Sequence, residues 1–200
     1  MKMLLKCNKE LPYLYYNWTT DRYETTNSLK DLKGLYGGSR VVSEHDRYCA
    51  YQDNIGVMTN GHILAECDFN VEKIIIDQTE FASFYKTKSV SGAKLKSDSC
   101  MTNYDLIDYL GDKSGYAISV KNIHTFKMPL PFDKLWSMDK FGLPYQIESI
   151  NQNMLYCHMI KPLELEYYVV VSISSEEMCR ILNGEKTIVI RKKILKEMIN

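Results

Sequence analysis

The residues best suited to bind a charged ligand are basic and lie near the end of the chain. Lys186, Arg191, Lys192 and Lys193 fall within the stretch "GEKTIVIRKK" (184–193). A lysine ammonium is a point charge for a phosphate, and an arginine guanidinium can hold a phosphate or a base edge through two parallel hydrogen bonds. These residue types therefore favour a ligand that carries phosphate groups.

The charge around this stretch is local. The whole chain has a formal net charge of zero, so its overall field indicates no partner, but residues 180–200 hold six basic and two acidic side chains. A basic patch of this size is compatible with phosphate binding. A solvated terminal helix would show the same charges, and the sequence leaves both readings open.

Two aromatic residues, Tyr116 and Trp136, could add a stacking face for bases. Each has a structural alternative, since Tyr116 could belong to the core and Trp136 could cap the bottom of a barrel. Arg191 also has one, an ion pair with Glu66 or another carboxylate of the sheet. The six site candidates are thus Lys186, Arg191, Lys192, Lys193, Tyr116 and Trp136.

Patterns for catalysis, metals and membranes are weak. The six cysteines form no CxxC pair or zinc spacing, the four histidines are scattered, and no serine stands in a Gly-x-Ser-x-Gly setting. We therefore predict no catalytic residues, no metal and no cofactor. The chain shows no signal-peptide core and no apolar run of membrane-spanning length, which favours a reduced, cytoplasmic protein without a membrane partner.

The hydrophobic patterns predict many short strands and few helices. Strands are predicted at 1–7, 40–45, 47–52, 61–69, 115–126, 153–160, 166–173 and 186–191, and Pro129 and Pro131 are expected to stop the strand before them. In the strand at 61–69, Ile63, Ala65, Cys67 and Phe69 alternate onto one face.

Three helices and two loops complete the prediction. Thr102, Asp105 and Gly111 cap a helix at 102–111, Ser174 and Glu177 form a capping box at 174–184, and a weaker helix covers 77–85. Residues 17–39 and 86–99 are read as loops. The fold class is α+β, a small β-barrel with flanking helices.

Four stretches resemble the ASCH domains of the PUA-like superfamily. "VSISSEEMCRILNGEKTIVIRKK" (171–193) resembles the opening strand–helix–strand, with its fixed points at Gly184, Lys186 and Arg191. Later family segments resemble "GHILAECDFNVEKI" (61–74), "CMTNYDLIDYLGDKSGYAISVKNIHTFKMPLPFDKLW" (100–136) and "QNMLYCH" (152–158).

The order of these stretches is reversed relative to the family. The later segments occupy 1–160, the opening unit occupies 167–193, and residues 161–166 would join them, which favours a circular permutation of one domain over 1–200. The C-terminal strand would then pair with the N-terminal strands and close the barrel. A swapped dimer or an orphan second unit fits the same order, so the oligomeric state stays open.

The resemblance implies RNA or a nucleotide-like ligand in a cleft beside the Gly-x-Lys strand. Some relatives are amidohydrolases that act on acylated nucleosides, but their hydroxyl nucleophile is replaced here by Val189, which disfavours an enzyme. The sequence therefore predicts non-enzymatic nucleic-acid binding, most of all RNA. The alternatives are a protein-interaction module of a phage or mobile element and, less favoured, the amidohydrolase.

Overall fold

The structure is a computed structural model. It describes residues 1–17, 20–28, 60–76, 85–111, 113–130, 135–138, 141, 143–147, 154–161 and 164–199. The predicted strands at 40–52 and most of the predicted helix at 77–85 lie outside these ranges.

The described elements mix strands and helices, which confirms the α+β class. The strands are β1 Lys2–Cys7, β2 Tyr13–Asn17, β3 Arg22–Thr26, β4 Ile63–Lys73, β5 Ile75–Ile76, β6 Tyr85–Lys86, β7 Tyr116–Leu130, β8 Trp136–Met138, β9 Pro144–Gln146, β10 Met154–Lys161, β11 Glu164–Ile173 and β12 Ile188–Arg191. The helices are α1 Gly92–Ser99, α2 Asn103–Leu110 and α3 Ser175–Leu182, followed by a 3₁₀ turn at Lys196–Met198.

One large sheet, curled into a half-barrel, organises the fold. Among the described residues it has eight strands in the order β12-β7-β4-β1-β11-β10-β8-β9. The pair β1–β11 is parallel, and the other neighbours are antiparallel. Two short sheets, β2–β3 and β5–β6, lie outside it.

The C-terminal part of the chain does return to the N-terminal strand, but through β11. Strand β11 runs parallel to β1 from the pair Lys2–Tyr168 to the pair Cys7–Ile173. The expectation that the last strand joins the N-terminal strands is wrong, because β12 pairs with β7. The closed barrel is wrong as well for the described residues, since β12 and β9 stand at the two edges of the sheet.

Helix caps follow the sequence closely in α2 and in part in α3. Thr102 and Asp105 form a reciprocal capping box at the start of α2, and Gly111 ends it. Ser174 caps α3 by accepting from the Glu177 N–H. The Glu177 carboxylate, however, does not complete the capping box and instead forms ion pairs with Lys186 and Arg191.

The loop predicted at 86–99 is wrong, because this segment holds α1. Ser91 caps the helix by accepting from the Lys94 N–H, and Leu95 is buried among other helix and strand residues. Leu95 is the one large apolar residue of this helix, so the sequence shows no helical period to detect. The loop predicted at 17–39 is also wrong in part, since 22–26 forms strand β3, while 29–39 lies outside the described residues.

Three strands extend beyond their predicted ends. Strands β10 and β11 reach into the predicted linker at 161–166, where Lys161 pairs with Glu164. Pro129 does not stop β7, which runs on to Leu130. These three strands are longer than their apolar patterns because neighbouring strands continue the ladder.

The sheet buries side chains on both faces. On the inner face, Val189 joins the main cluster with residues of β1, β4, β7, β11 and α3. On the outer face, Ile188 and Ile190 pack under α1 and α2, and a third cluster surrounds Leu4 and Tyr168. Strand β12 is therefore held from both sides.

Ile63 of β4 belongs to the third cluster, so its predicted place beside Ala65 and Cys67 is wrong. The register of β4 shifts between Ile63 and Ala65, which moves Ile63 to the other face.

Candidate functional site

Lys186 is buried at the junction of α3, α1 and β12. Gly184 ends the helix with a φ of 75°, a left-handed conformation that favours glycine, and the chain then turns toward the sheet. Lys186 is 5% exposed. Its ammonium donates to the Ser99 carbonyl at 2.8 Å and lies 3.0 Å from the Glu177 carboxylate. The side chain therefore points into the protein rather than into a cleft.

The contact with Ser99 has an electrostatic basis. Ser99 is the last residue of α1, and the carbonyls at the end of a helix carry partial negative charge. The Thr187 N–H also donates to the Asp98 carbonyl at 2.9 Å. Lys186 and its neighbour thus fasten the end of α1 to the start of β12.

Arg191 lies at the other end of β12 and reaches the same carboxylate. Its guanidinium donates to the carbonyls of Ile190 at 2.9 Å and Ser172 at 3.1 Å, and to the Glu177 carboxylate at 3.4 Å. The side chain of Arg191 is 13% exposed. We call Glu177, Lys186 and Arg191 the Glu177 cluster. It links α3 to both ends of β12, and Glu66, the alternative partner expected for Arg191, pairs instead with Lys2.

Beyond Arg191 the chain leaves the sheet and its lysines face solvent. Lys192 and Lys193 are exposed. The Lys192 ammonium lies 5.0 Å from the centroid of the Tyr109 ring, on α2, within the range of a cation–π contact. Tyr116 is half-buried and pairs with Arg191 in the β7–β12 register. We call Tyr109, Tyr116, Lys192 and Lys193 the β12-end surface.

Close packing at Gly115 positions the elements that form this surface. A Cβ at Gly115 would lie 2.5 Å from a methyl carbon of Leu110 and 3.0 Å from the Arg191 carbonyl oxygen. Only glycine therefore lets the segment between α2 and β7 approach the end of β12 this closely. The Gly115 carbonyl also accepts from the Ile74 N–H at 2.8 Å, which fixes the segment from the other side.

The structure does not bring Trp136 to the basic residues. Trp136 begins β8 and is 36% exposed, but five strands of the sheet separate β8 from β12. Of the six predicted site residues, five therefore gather around β12 and Trp136 does not. Sequence reasoning missed Tyr109, because its position on an exposed helix face gives no sign of a lysine from a distant strand.

A second feature is a groove between β3 and α3, with a volume of about 640 Å³. Sequence reasoning missed it because the pattern at 17–39 favours a loop. Its lining is polar and consists of Arg22, Tyr23, Glu24, Thr25, Glu176, Cys179, Arg180, Asn183 and Glu185.

Three of the described thiols are poor nucleophiles. Burial raises the pKa of Cys179, whose thiol donates to the Tyr23 carbonyl at 3.1 Å. Burial also raises the pKa of Cys7 to about 11 and that of Cys67 to about 12. Since the thiolate is the reactive form, these three cysteines stay protonated and unreactive at neutral pH.

Two further observations concern the described ranges alone. They contain no group of three or more His, Cys, Asp or Glu side chains that could hold a metal ion. No helix in them is both long enough and apolar enough to cross a bilayer. Val189, which the ASCH resemblance places where amidohydrolases have a nucleophile, is buried in the inner-face cluster.

The chain matches no model of a known protein family, no curated protein and no solved structure. The ASCH resemblance therefore stays a prediction. A functional assignment for this chain has to rest on the geometry of the β12-end surface and of the groove.

Proposed function

We propose that the protein is a non-enzymatic nucleic-acid binder that takes single-stranded RNA at the β12-end surface. The observation that carries the proposal is the exposed Lys192 ammonium over the Tyr109 ring, followed in the chain by the exposed Lys193. Paired cations and aromatic rings suit a strand whose phosphates need counter-charge and whose bases stack.

In this proposal Lys186 and Arg191 position the surface instead of contacting the ligand. Lys186 donates to the Ser99 carbonyl and pairs with Glu177, so its ammonium has little left to offer a phosphate. Arg191 donates to Ser172, 19 residues away in sequence, and keeps the end of β12 in place. Lys192 and Lys193 then supply the phosphate contacts.

We also propose that the fold is a PUA-like half-barrel in permuted order. The α+β class, the curled sheet and the parallel pairing of β11 with β1 support this. A permutation needs the C-terminal unit to pack against the N-terminal strand of the same chain, and the register from Lys2–Tyr168 to Cys7–Ile173 meets that need. An experimental structure that superposes on an ASCH domain after reordering would test it.

The RNA proposal is tested with a fluorescein-labelled single-stranded RNA 12-mer in anisotropy titrations at 50 and 200 mM salt. We expect Lys192→Gln with Lys193→Gln to weaken binding about tenfold or more, since hydrogen bonds to charged groups are worth ~1.5–3 kcal/mol each. The salt slope should fall by about 1.4, because single strands contribute about 0.7 per phosphate contact.

The matched control removes two exposed lysines elsewhere, Lys9→Gln with Lys121→Gln. It makes the same change in net charge at residues outside the β12-end surface, and it should therefore leave affinity within about twofold. Equal losses of RNA affinity in both variants would mean that RNA binds through overall charge and not at the β12-end surface. No binding at low salt, or an unchanged affinity in the Lys192 and Lys193 variant, would refute the proposal.

A further inference from the structure

Asn183 imitates a neighbouring strand along the open edge of β3. Its Oδ1 accepts from the Tyr23 N–H at 2.9 Å, and its Nδ2 donates to the Tyr23 carbonyl at 2.8 Å. One side-chain amide thus occupies both backbone groups of Tyr23, as a peptide group of an adjacent strand would. The edge of β3 is therefore covered at this residue.

The same edge stays open two residues further on, at Thr25. Backbone groups alternate direction along a strand, so Thr25 points the same way as Tyr23, away from β2. The partner strand agrees, because Leu14, which pairs with Thr25, sends its N–H to Asn60 Oδ1 at 2.8 Å instead of to β3. Thr25 lines the groove, and none of the described residues covers its N–H and carbonyl.

We propose that this groove binds an extended segment of a partner protein, which adds a strand to the edge of β3 at Thr25 and places a carboxylate against Arg180. Binding of this kind combines backbone hydrogen bonds along a strand edge with side-chain recognition by the opposing helix. Helix α3 supplies that opposing wall through Glu176, Arg180 and Asn183.

Charge identifies the side chain that the segment presents. Arg22 pairs with Glu185, and Glu24 accepts from Tyr15, Asn17 and Thr20. Arg180 has no ion pair among the described residues and lines the groove, so it is the available cation. Glu176 lies in the first turn of α3, where the helix dipole already stabilises its negative charge.

A protein segment fits this groove better than nucleic acid does. The lining holds three carboxylates against two guanidinium groups. Hydrogen bonds, first from Asn17 and then from Thr20, lower the pKa of Glu24, so it is ionised at neutral pH. A phosphate backbone would bring one negative charge per nucleotide into this excess negative charge, whereas a peptide strand brings a single carboxylate to Arg180 and meets an open N–H and carbonyl at Thr25.

The probe is a displayed library of random heptapeptides, selected on the full chain. We expect selected peptides to share an acidic residue at one position between residues of high strand propensity. Labelled versions of these peptides are then titrated against three variants, Thr25→Pro, Thr25→Val and Arg180→Gln.

Thr25→Pro is the decisive change. Proline removes the N–H that faces the groove, and it is tolerated on an edge strand whose N–H does not serve the ladder. We expect a loss of tenfold or more, and a similar loss for Arg180→Gln. Thr25→Val keeps the N–H and should bind within about twofold of the parent. Circular dichroism confirms that each variant is folded.

Amide exchange provides a second measurement that does not depend on a variant. The Thr25 N–H should exchange rapidly in the free chain and slow at least tenfold with the peptide bound. Absence of a selected class, equal binding by the Thr25→Pro variant, or unchanged exchange at Thr25 would overturn the proposal. So would a concentration-dependent dimer that Thr25→Pro dissolves, since the occupant would then be a second copy.

Discussion

The two ends of β12 carry the same kind of side chain and use it in opposite ways. At the start, Lys186 is buried and its ammonium is held by Glu177 and the end of α1. At the end, Lys192 projects to solvent over the Tyr109 ring. One short basic motif thus spans an interior ion pair and a candidate ligand surface.

The difference lies in what each lysine meets after folding. A buried cation needs a partner, because desolvation of a charge costs several kcal/mol. Glu177 and the carbonyl of Ser99 provide it for Lys186. Lys192 keeps its hydration and is free to exchange water for phosphate. A basic residue near a strand end is therefore evidence for binding only when its ammonium is exposed.

The largest effect is expected from Lys186→Met, which keeps the length of the side chain and removes its charge. Loss of one partner of a buried ion pair leaves the other charge poorly compensated, so the free energy of unfolding should fall by about 3 kcal/mol. Urea denaturation measures it. The change in Lys186→Met with Glu177→Gln should be smaller than the sum of the single changes, as expected for coupled residues.

Additive losses in that cycle would contradict the ion-pair role of Lys186. If Lys186→Met kept full stability and lost RNA binding, Lys186 would be a ligand-contacting residue rather than a buried structural one. The matched control is Lys192→Met, which makes the same chemical change at the other end of the strand.

The next effect concerns the packing that presents the β12-end surface. Gly115→Ala would place a Cβ 2.5 Å from a methyl carbon of Leu110. Either α2 or the end of β12 must shift, and an overpacked core site costs typically about 1–3 kcal/mol. Thermal unfolding should show the loss, and RNA affinity should fall with it because Tyr109 and Lys192 separate. Unchanged affinity would show that their geometry is unimportant.

The smallest effect on stability is expected from Lys192→Met itself. An exposed lysine over a tyrosine ring contributes about 0.5–1 kcal/mol, so the free energy of unfolding should fall by less than about 1 kcal/mol. RNA binding should nevertheless weaken severalfold. A loss of stability as large as that of Lys186→Met would erase the contrast between the two ends.

The sequence predicts much of the sheet because the period-2 pattern of a strand can be recognised within that strand alone. These patterns predict β1, β4, β7, β10 and β11, and Thr102, Ser174 and the glycines that follow them indicate the caps of α2 and α3. Helix α1 escapes prediction because Leu95 is its one large apolar residue, so tertiary packing decides its conformation. Hairpin β2–β3 escapes it because strand β3, "RYETT", is mostly polar.

The site is less predictable for a related reason. Residue type indicates that Lys186 and Arg191 matter, but their role depends on Glu177, which the sequence pattern assigns to a capping box. Burial of Lys186 depends on α1, the helix that the sequence does not predict. The groove depends on Asn183 meeting Tyr23, 160 residues away in sequence, and no local pattern records such a contact.

The parallel pairing of β1 with β11 has a consequence for synthesis on the ribosome. Strand β1 carries a buried apolar run, Met3, Leu4 and Leu5, and one of its two edges is completed by residues 168–173. A nascent chain must therefore hold that edge unpaired until residues 168–173 have emerged. Truncated products that stop before β11 would expose a strand edge flanked by buried leucines and methionines, which is a template for aggregation.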